Sequence, residues 1–368
     1  MRPLIVHVLP ILLLAPPAMA QYAVHRDGDV IHLEDAKSQT VVSILPSFGD
    51  IAFEMKVRGQ NVLRFPHASV EEFEKHPSLC GIPFIGPWAN RLDQTAFYAN
   101  GKKYSFDMDL GNIHGAPHPI HGFLTTTHLW QVIDLEANSD SAWLTSHLDF
   151  YRQPDWMAQF PFAHTVEITY RLKDGVLEVQ TRIHNLSYDP MPVAIGFHPF
   201  YNLTDSQRDD WTVSIGARTQ WMLASDKIPT GETRPIEKMF PDPNNIKLKD
   251  YDLDHVFGDL IRDSSGRAVM SVKGKSQEIQ VMFGPHYPSV VVWAPSPHEA
   301  PPANGRAAAA QNPNRPFGPR DRNFICFEPM AGITDALNLA QKGLYKELQS
   351  IPPGQTWQAS FWVKPEGF

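Results

Sequence analysis

Short apolar runs closed by turn residues dominate this chain, and they restrict what it can become. Val41-Val42-Ser43-Ile44-Leu45 stops at Pro46, and Ile51-Ala52-Phe53-Glu54-Met55 is followed by Arg58-Gly59. Asn100-Gly101 sits between Phe97-Tyr98 and Tyr104-Ser105-Phe106, the grammar of a tight hairpin. The same alternation recurs at Ala142 to Leu148, Phe162 to Tyr170, Leu177 to His184, Thr212 to Ile215, Ala268 to Val272, Glu278 to Phe283, Ser289 to Trp293 and Gln355 to Val363. With 33 prolines and 23 glycines, long helices have little uninterrupted chain to form in. Only Asp335 to Gln349 has the length of an amphipathic helix, and Val70 to Lys75 reads as a single helical turn. The expectation is an all-β protein, a large antiparallel β-sandwich.

At 42% hydrophobic and 20% charged residues, the chain has apolar material for a substantial core and is not a disordered or coiled-coil protein. Its net charge of −8 is spread along the sequence, with no basic face for nucleic acid. The first twenty residues read as a signal peptide. Arg2 precedes the apolar run Leu4 to Leu14, and Ala18-Met19-Ala20 offers a small-residue cleavage site before Gln21. The apolar run is too short for a membrane span, and no cysteine follows the cleavage site to carry a lipid. Cleavage would remove Arg2 and leave 31 cations against 40 acids, a net charge of −9. The expectation is export to a periplasm or the exterior, with residues 21–368 as a single domain. Two cysteines, Cys80 and Cys326, are too few for a disulfide framework. The sequence carries no signal of oligomeric state.

Several polar residues stand where polar residues are expensive. Asn90-Arg91 closes the glycine- and proline-bracketed segment Gly81 to Leu92, and their donors and acceptors suit a polyhydroxy ligand. His114, His118 and His121 crowd one segment, but Gly115, Pro117 and Pro119 forbid the helix that would align them for a metal. His198 lies in Gly-Phe-His-Pro-Phe-Tyr-Asn-Leu, after an apolar strand and before Pro199, which biases it to extended backbone. An imidazole held there can exchange a proton near neutral pH. Asp254 falls in an acidic, aromatic run from Asp250 to Leu260. Glu328 ends the apolar run Phe324-Ile325-Cys326-Phe327, a position where a carboxylate is costly unless bonded or functional. Before that strand, about 295–322 is rich in Pro, Ala, Asn and Arg, and reads as a flexible insertion.

In their order and contexts, Asn90-Arg91, His121-Gly122, the His198 stretch, Asp254 and Phe327-Glu328-Pro329 resemble the aldose 1-epimerases (galactose mutarotase-like proteins). The likeness spans roughly Val41 to Val363. It implies a large β-sandwich with a sugar cleft across one sheet. It also implies His198 as general acid, Glu328 as general base, and Asn90, Arg91, His121 and Asp254 around the sugar. No metal or cofactor is implied. Gly122-Phe123 stands where the family often has paired glycines, so His114-Gly115 is an alternative counterpart to His121-Gly122. The function so implied is interconversion of the α and β anomers of a hexose. A carbohydrate-binding protein without catalysis, or a glycoside-cleaving enzyme using Asp254 and Glu328, are the competing readings.

Overall fold

The structure is a computed structural model that describes residues 20–115, 117–296 and 322–368. The leader through Met19 and most of the proline- and alanine-rich insertion, residues 297–321, lie outside the described residues.

Two large antiparallel sheets make the body. The larger runs in the order Ile246–Lys247, Thr212–Ile215, Ala268–Lys273, Glu278–Phe283, Thr356–Glu366, Val176–Asn185, His164–Lys173, Ala142–Asp149, Gln131–Ala137. The second, called the site sheet below, runs Pro229–Pro235, Ala217–Leu223, Leu253–Leu260, Ser289–Ala294, Cys326–Met330, Gly196–Phe197, Phe84–Ile85. A five-stranded sheet built from Tyr22 to Asn61 flanks them. Tyr170 ties it to the larger sheet by donating its hydroxyl to the Asp50 carbonyl at 2.6 Å.

Strand alternation sorts the side chains of the site sheet into two sets. Phe197, Phe257, Val290, Val292 and Phe327 point into the main core, where the Phe197 ring meets Phe361 of the larger sheet at 5.1 Å. Burying one such side chain contributes roughly 1.5–3 kcal/mol. The other set is fixed by register: Asp254 pairs with Trp293, Trp293 with Cys326, and Val291 with Glu328. Directly paired residues share a face, so Asp254, Val256, Val291, Trp293, Cys326 and Glu328 all lie on the outer one. That face is covered too. Ile333, Ala336, Leu339 and Tyr345 pack over Val256, Val291 and Met330, and Phe200 and Phe324 pack beside Cys326.

The expected elements are largely in place, and the differences include these. The helix anticipated over Asp335 to Gln349 is only Ala336–Gln341, because Gly343 turns the chain at φ +72° and Gln349–Ile351 becomes a strand. Pro229–Pro235 forms a strand despite its bounding prolines, at the sheet edge where missing N–H donors do no harm. Leu253–Leu260, read only as an acidic run, is a full strand. Pro154–Gln159 is a short helix with Pro154 in its first turn. Cys80 and Cys326 are both buried and free. Among the described residues, no helix is long and apolar enough to cross a membrane.

Candidate active site

Gly196 pairs with both Met330 and Ile85, which brings the end of the short Gly196–Phe197 strand beside the Glu328 strand. His198 follows immediately, its N–H donating to the Pro83 carbonyl at 3.1 Å. Its ring is stacked on Phe200 at 4.8 Å and edge-on to Trp293 at 5.5 Å. These two rings pack the imidazole on its face and at its side. Its Nε2 lies 3.2 Å from Glu328 Oε1, with both side chains buried.

The second wall comes from two loops that run side by side. Gly86 bridges Gly122, and Arg91 bridges Ile120. Asn90 and His121 both adopt left-handed backbone, at φ +56° and +62°. They hold each other there: the His121 N–H donates to the Asn90 carbonyl at 3.0 Å, and the Asn90 N–H donates to His121 Nδ1 at 3.3 Å. That second bond makes Nδ1 an acceptor, so neutral His121 carries its proton on Nε2. Asn90 Oδ1 accepts from the Arg91 N–H at 2.9 Å and from Arg91 Nη1 at 3.1 Å. Asn90 therefore aims the guanidinium. The His121 and His198 rings stand edge to face, 5.2 Å apart.

Asn90, Arg91, His121, His198, Asp254 and Glu328 line one cavity of about 310 Å3. The residues singled out from the sequence are thus brought together. His114 is exposed and does not line the cavity. His118 also stands outside it, bonding the Leu92 carbonyl at 3.1 Å and meeting Asp226 at 3.3 Å. Trp293, Leu79 and Ile120 complete the lining and were not singled out as site residues from the sequence. Trp293 could have been found, since it sits two residues from Val291 on the strand face that Glu328 shares.

Burial governs the charges. It drives the Glu328 carboxyl well above the usual carboxylate range, Asp254 pushes it the same way, and Arg91 draws it back. Burial pushes the His198 imidazole down to about 3, with a smaller push from Arg91. His121 is held well below the usual histidine value by burial, then by His198 and Arg91. Both members of the His198–Glu328 pair therefore favour their neutral forms, the proton resting on Glu328. Glu328 Oε2 and His198 Nδ1 have no hydrogen-bond partner among the described residues. At the mouth, Lys227 Nζ lies 3.6 Å from Asp254. Among the described residues, no group of three or more His, Cys, Asp or Glu is arranged to hold a metal.

Residues 37–364 match the family model described as Aldose 1-epimerase. The chain belongs to that family. Solved structures show the fold of this aldose 1-epimerase family member from a second direction. A galactose mutarotase-like protein from Clostridium acetobutylicum superposes with a TM-score of 0.76 at 21% identity, covering 94% of this chain and 98% of that one. Galactose 1-epimerase from Lactobacillus acidophilus gives 0.71 at 16% identity, covering 94% and 98%. An aldose epimerase homologue from C. elegans gives 0.68 at 18%, covering 90% and 97%.

Proposed function

We propose that the protein is a cofactor-independent aldose 1-epimerase that interconverts the α and β anomers of a free hexose. The observation that carries this reading is the buried contact of 3.2 Å between His198 Nε2 and Glu328 Oε1 in a cleft lined by Arg91, His121 and Asp254. Anomer exchange needs one acid and one base near C1, and this pair supplies both.

The pair holds one proton, and the reaction can be written without exchanging it with solvent. In the reacting form His198 is the imidazolium and Glu328 the carboxylate. Glu328 takes the proton of the anomeric hydroxyl, C1=O forms, the C1–O5 bond breaks, and O5 receives the proton of His198. The open-chain aldehyde then faces a protonated Glu328 and a neutral His198. That is the arrangement burial favours, so the cleft stabilises the ring-opened stage. Rotation about C1–C2 presents the other face of the aldehyde. Return of both protons and closure of O5 on C1 complete the inversion. Arg91, the cation that draws Glu328 downward, supports the carboxylate of the reacting form.

Arg91, His121 and Asp254 offer donors and acceptors to sugar hydroxyls on the walls of the cleft. Trp293 offers an aromatic surface for the C–H edge of the ring. The leader-like first twenty residues support an exported enzyme, and N-terminal sequencing of the secreted form would then begin at Gln21.

Polarimetry on freshly dissolved α-D-glucose and α-D-galactose tests the reading. The wild type accelerates the decay of rotation, and Glu328→Gln loses roughly a hundred- to ten-thousand-fold. Near-normal turnover in Glu328→Gln rules it out.

A further inference from the structure

Further along the outer face of the site sheet lies a second cleft, of about 420 Å3, lined by Thr219, Trp221, Thr233, Gly258 and Tyr345 among others. On the strand that carries Asp254, Gly258 lies four residues further on, roughly 13 Å along. The apolar patch of Val256, Val291 and Met330, capped by Ile333, Ala336 and Leu339, separates the two clefts. The catalytic pair is absent from this one.

Three features of the cleft point to a ligand. Trp221 lies across Gly258: a Cβ there would stand 2.9 Å from Trp221 Nε1 and 3.5 Å from Thr219 Oγ1. Bare backbone at that position lets the indole settle onto the sheet. The Tyr345 ring then meets it edge-on, at 5.9 Å and 70°. The Tyr345 hydroxyl is buried with the Ile333 backbone beside it, so the residue meets the indole with its ring. The charged residues of the lining are Asp259, Lys346 and Glu347, and Asp259 pairs with Arg218 at 3.1 Å, so the cleft has no excess of cations to draw an anion.

An aromatic platform flanked by the hydroxyls of Thr219 and Thr233 is the chemistry that recognises a neutral pyranose, apolar on its C–H face and hydroxylated at its edge. We propose that the Trp221–Tyr345 cleft is a second carbohydrate-binding site, which holds a sugar without turning it over. Such a site would keep the protein on glycan-rich material while the first cleft works on the free sugar.

The experiment follows the indole N–H resonances of the 15N-labelled protein by NMR, with the Trp221 signal assigned from Trp221→Phe. Methyl β-D-galactopyranoside and maltotriose are the probes; the first is blocked at C1 and cannot be a substrate. The expected result is a saturable shift of the Trp221 signal, with Kd on the order of 1 mM, equal in wild type and Glu328→Gln. Thr233→Arg, which fills the cleft from its rim, abolishes the shift and leaves mutarotation unchanged. A Trp221 signal unmoved by either probe overturns the proposal. So does a shift that survives Thr233→Arg. Mutarotation and Trp221 binding are read separately, so either can fail while the other stands.

Discussion

Glu328 Oε1 and His198 Nε2 lie 3.2 Å apart, and the surrounding protein leaves water almost no access to either. Each is driven toward neutrality by the same burial, the carboxyl upward and the imidazole down to about 3. The pair therefore behaves as one titrating unit that keeps a single proton over a wide range of pH.

The pH profile follows directly. Above about 3, His198 in the free enzyme is already neutral, and Glu328 retains its proton until well above the usual carboxylate range. The proton count of the pair is constant between those limits. Polarimetric kcat/KM, which reports the free enzyme, should thus be flat through pH 6.5, where an unperturbed histidine would titrate, at about 6.5. A histidine-like inflection there in the wild type would contradict the shared-proton mechanism.

Asp254 shapes the site through charge rather than stability. Its ion pair with Lys227 is partly exposed, so Asp254→Ala should change thermal stability by less than about 1 kcal/mol. On the proposed function the substitution removes a hydrogen-bond partner for sugar hydroxyls, and KM should rise roughly ten- to a hundredfold, matching about 1.4–2.8 kcal/mol of lost binding. It also removes a like charge from the surroundings of Glu328, so the alkaline limb of the pH profile should move down. An unchanged KM would remove Asp254 from the sugar contacts.

Asp50 is a stability liability that an amide would relieve. It is fully buried, sits at φ +48°, accepts from Ser146 Oγ at 2.7 Å through Oδ1, and has no partner at Oδ2. Burial raises its carboxyl to about 8. The unfolded value is about 3.9, so the folded state binds the extra proton, and stability falls as pH rises from there toward 8. Asn tolerates positive φ, keeps the Ser146 acceptor and carries no charge. Asp50→Asn should therefore stabilise by about 2–4 kcal/mol at pH 7 and have little effect near pH 4. Equal thermal shifts at the two pH values would show that burial of the charge is not the cause.

Strand positions were legible because period-two alternation survives wherever one sheet face is buried and turn residues close each run. The Thr212–Ile215 and Glu278–Phe283 strands fall where the pattern puts them. Pro229–Pro235 was hidden because edge strands need neither a full set of donors nor an apolar face. Most of the six candidate residues could be named because each is a polar group in an apolar or rigid context, while Asp254, in an acidic run, was ordered among them only by the family pattern. Their geometry could not be read. That Asn90 and His121 share two hydrogen bonds depends on loops 31 residues apart meeting in left-handed conformation. That His121 rather than His114 lines the cleft depends on the same meeting. Trp221 over Gly258 was invisible for a related reason, since cross-strand neighbours on separate hairpins leave no local spacing.

Gly122 tests how far that loop pairing controls the candidate site. Its φ is +58°, and a Cβ there would stand 1.9 Å from the Gly86 carbonyl oxygen, an overlap that backbone on both sides must move to relieve. Gly111, at φ +67° with nothing within 4 Å, isolates the backbone penalty alone. Gly111→Ala should cost about 1 kcal/mol. Gly122→Ala should cost clearly more, on the order of 2–4 kcal/mol. Because Gly122 follows His121, the shift should break the paired bonds with Asn90 and swing both His121 and Arg91. At temperatures where the variant stays folded, KM should rise by more than kcat falls, since His198 and Glu328 stand on other strands. Thermal melts and polarimetry on the two variants decide it. Equal melting temperatures would show that the Gly86–Gly122 contact yields freely, and a wild-type KM would show that the loop pairing does not set the sugar contacts.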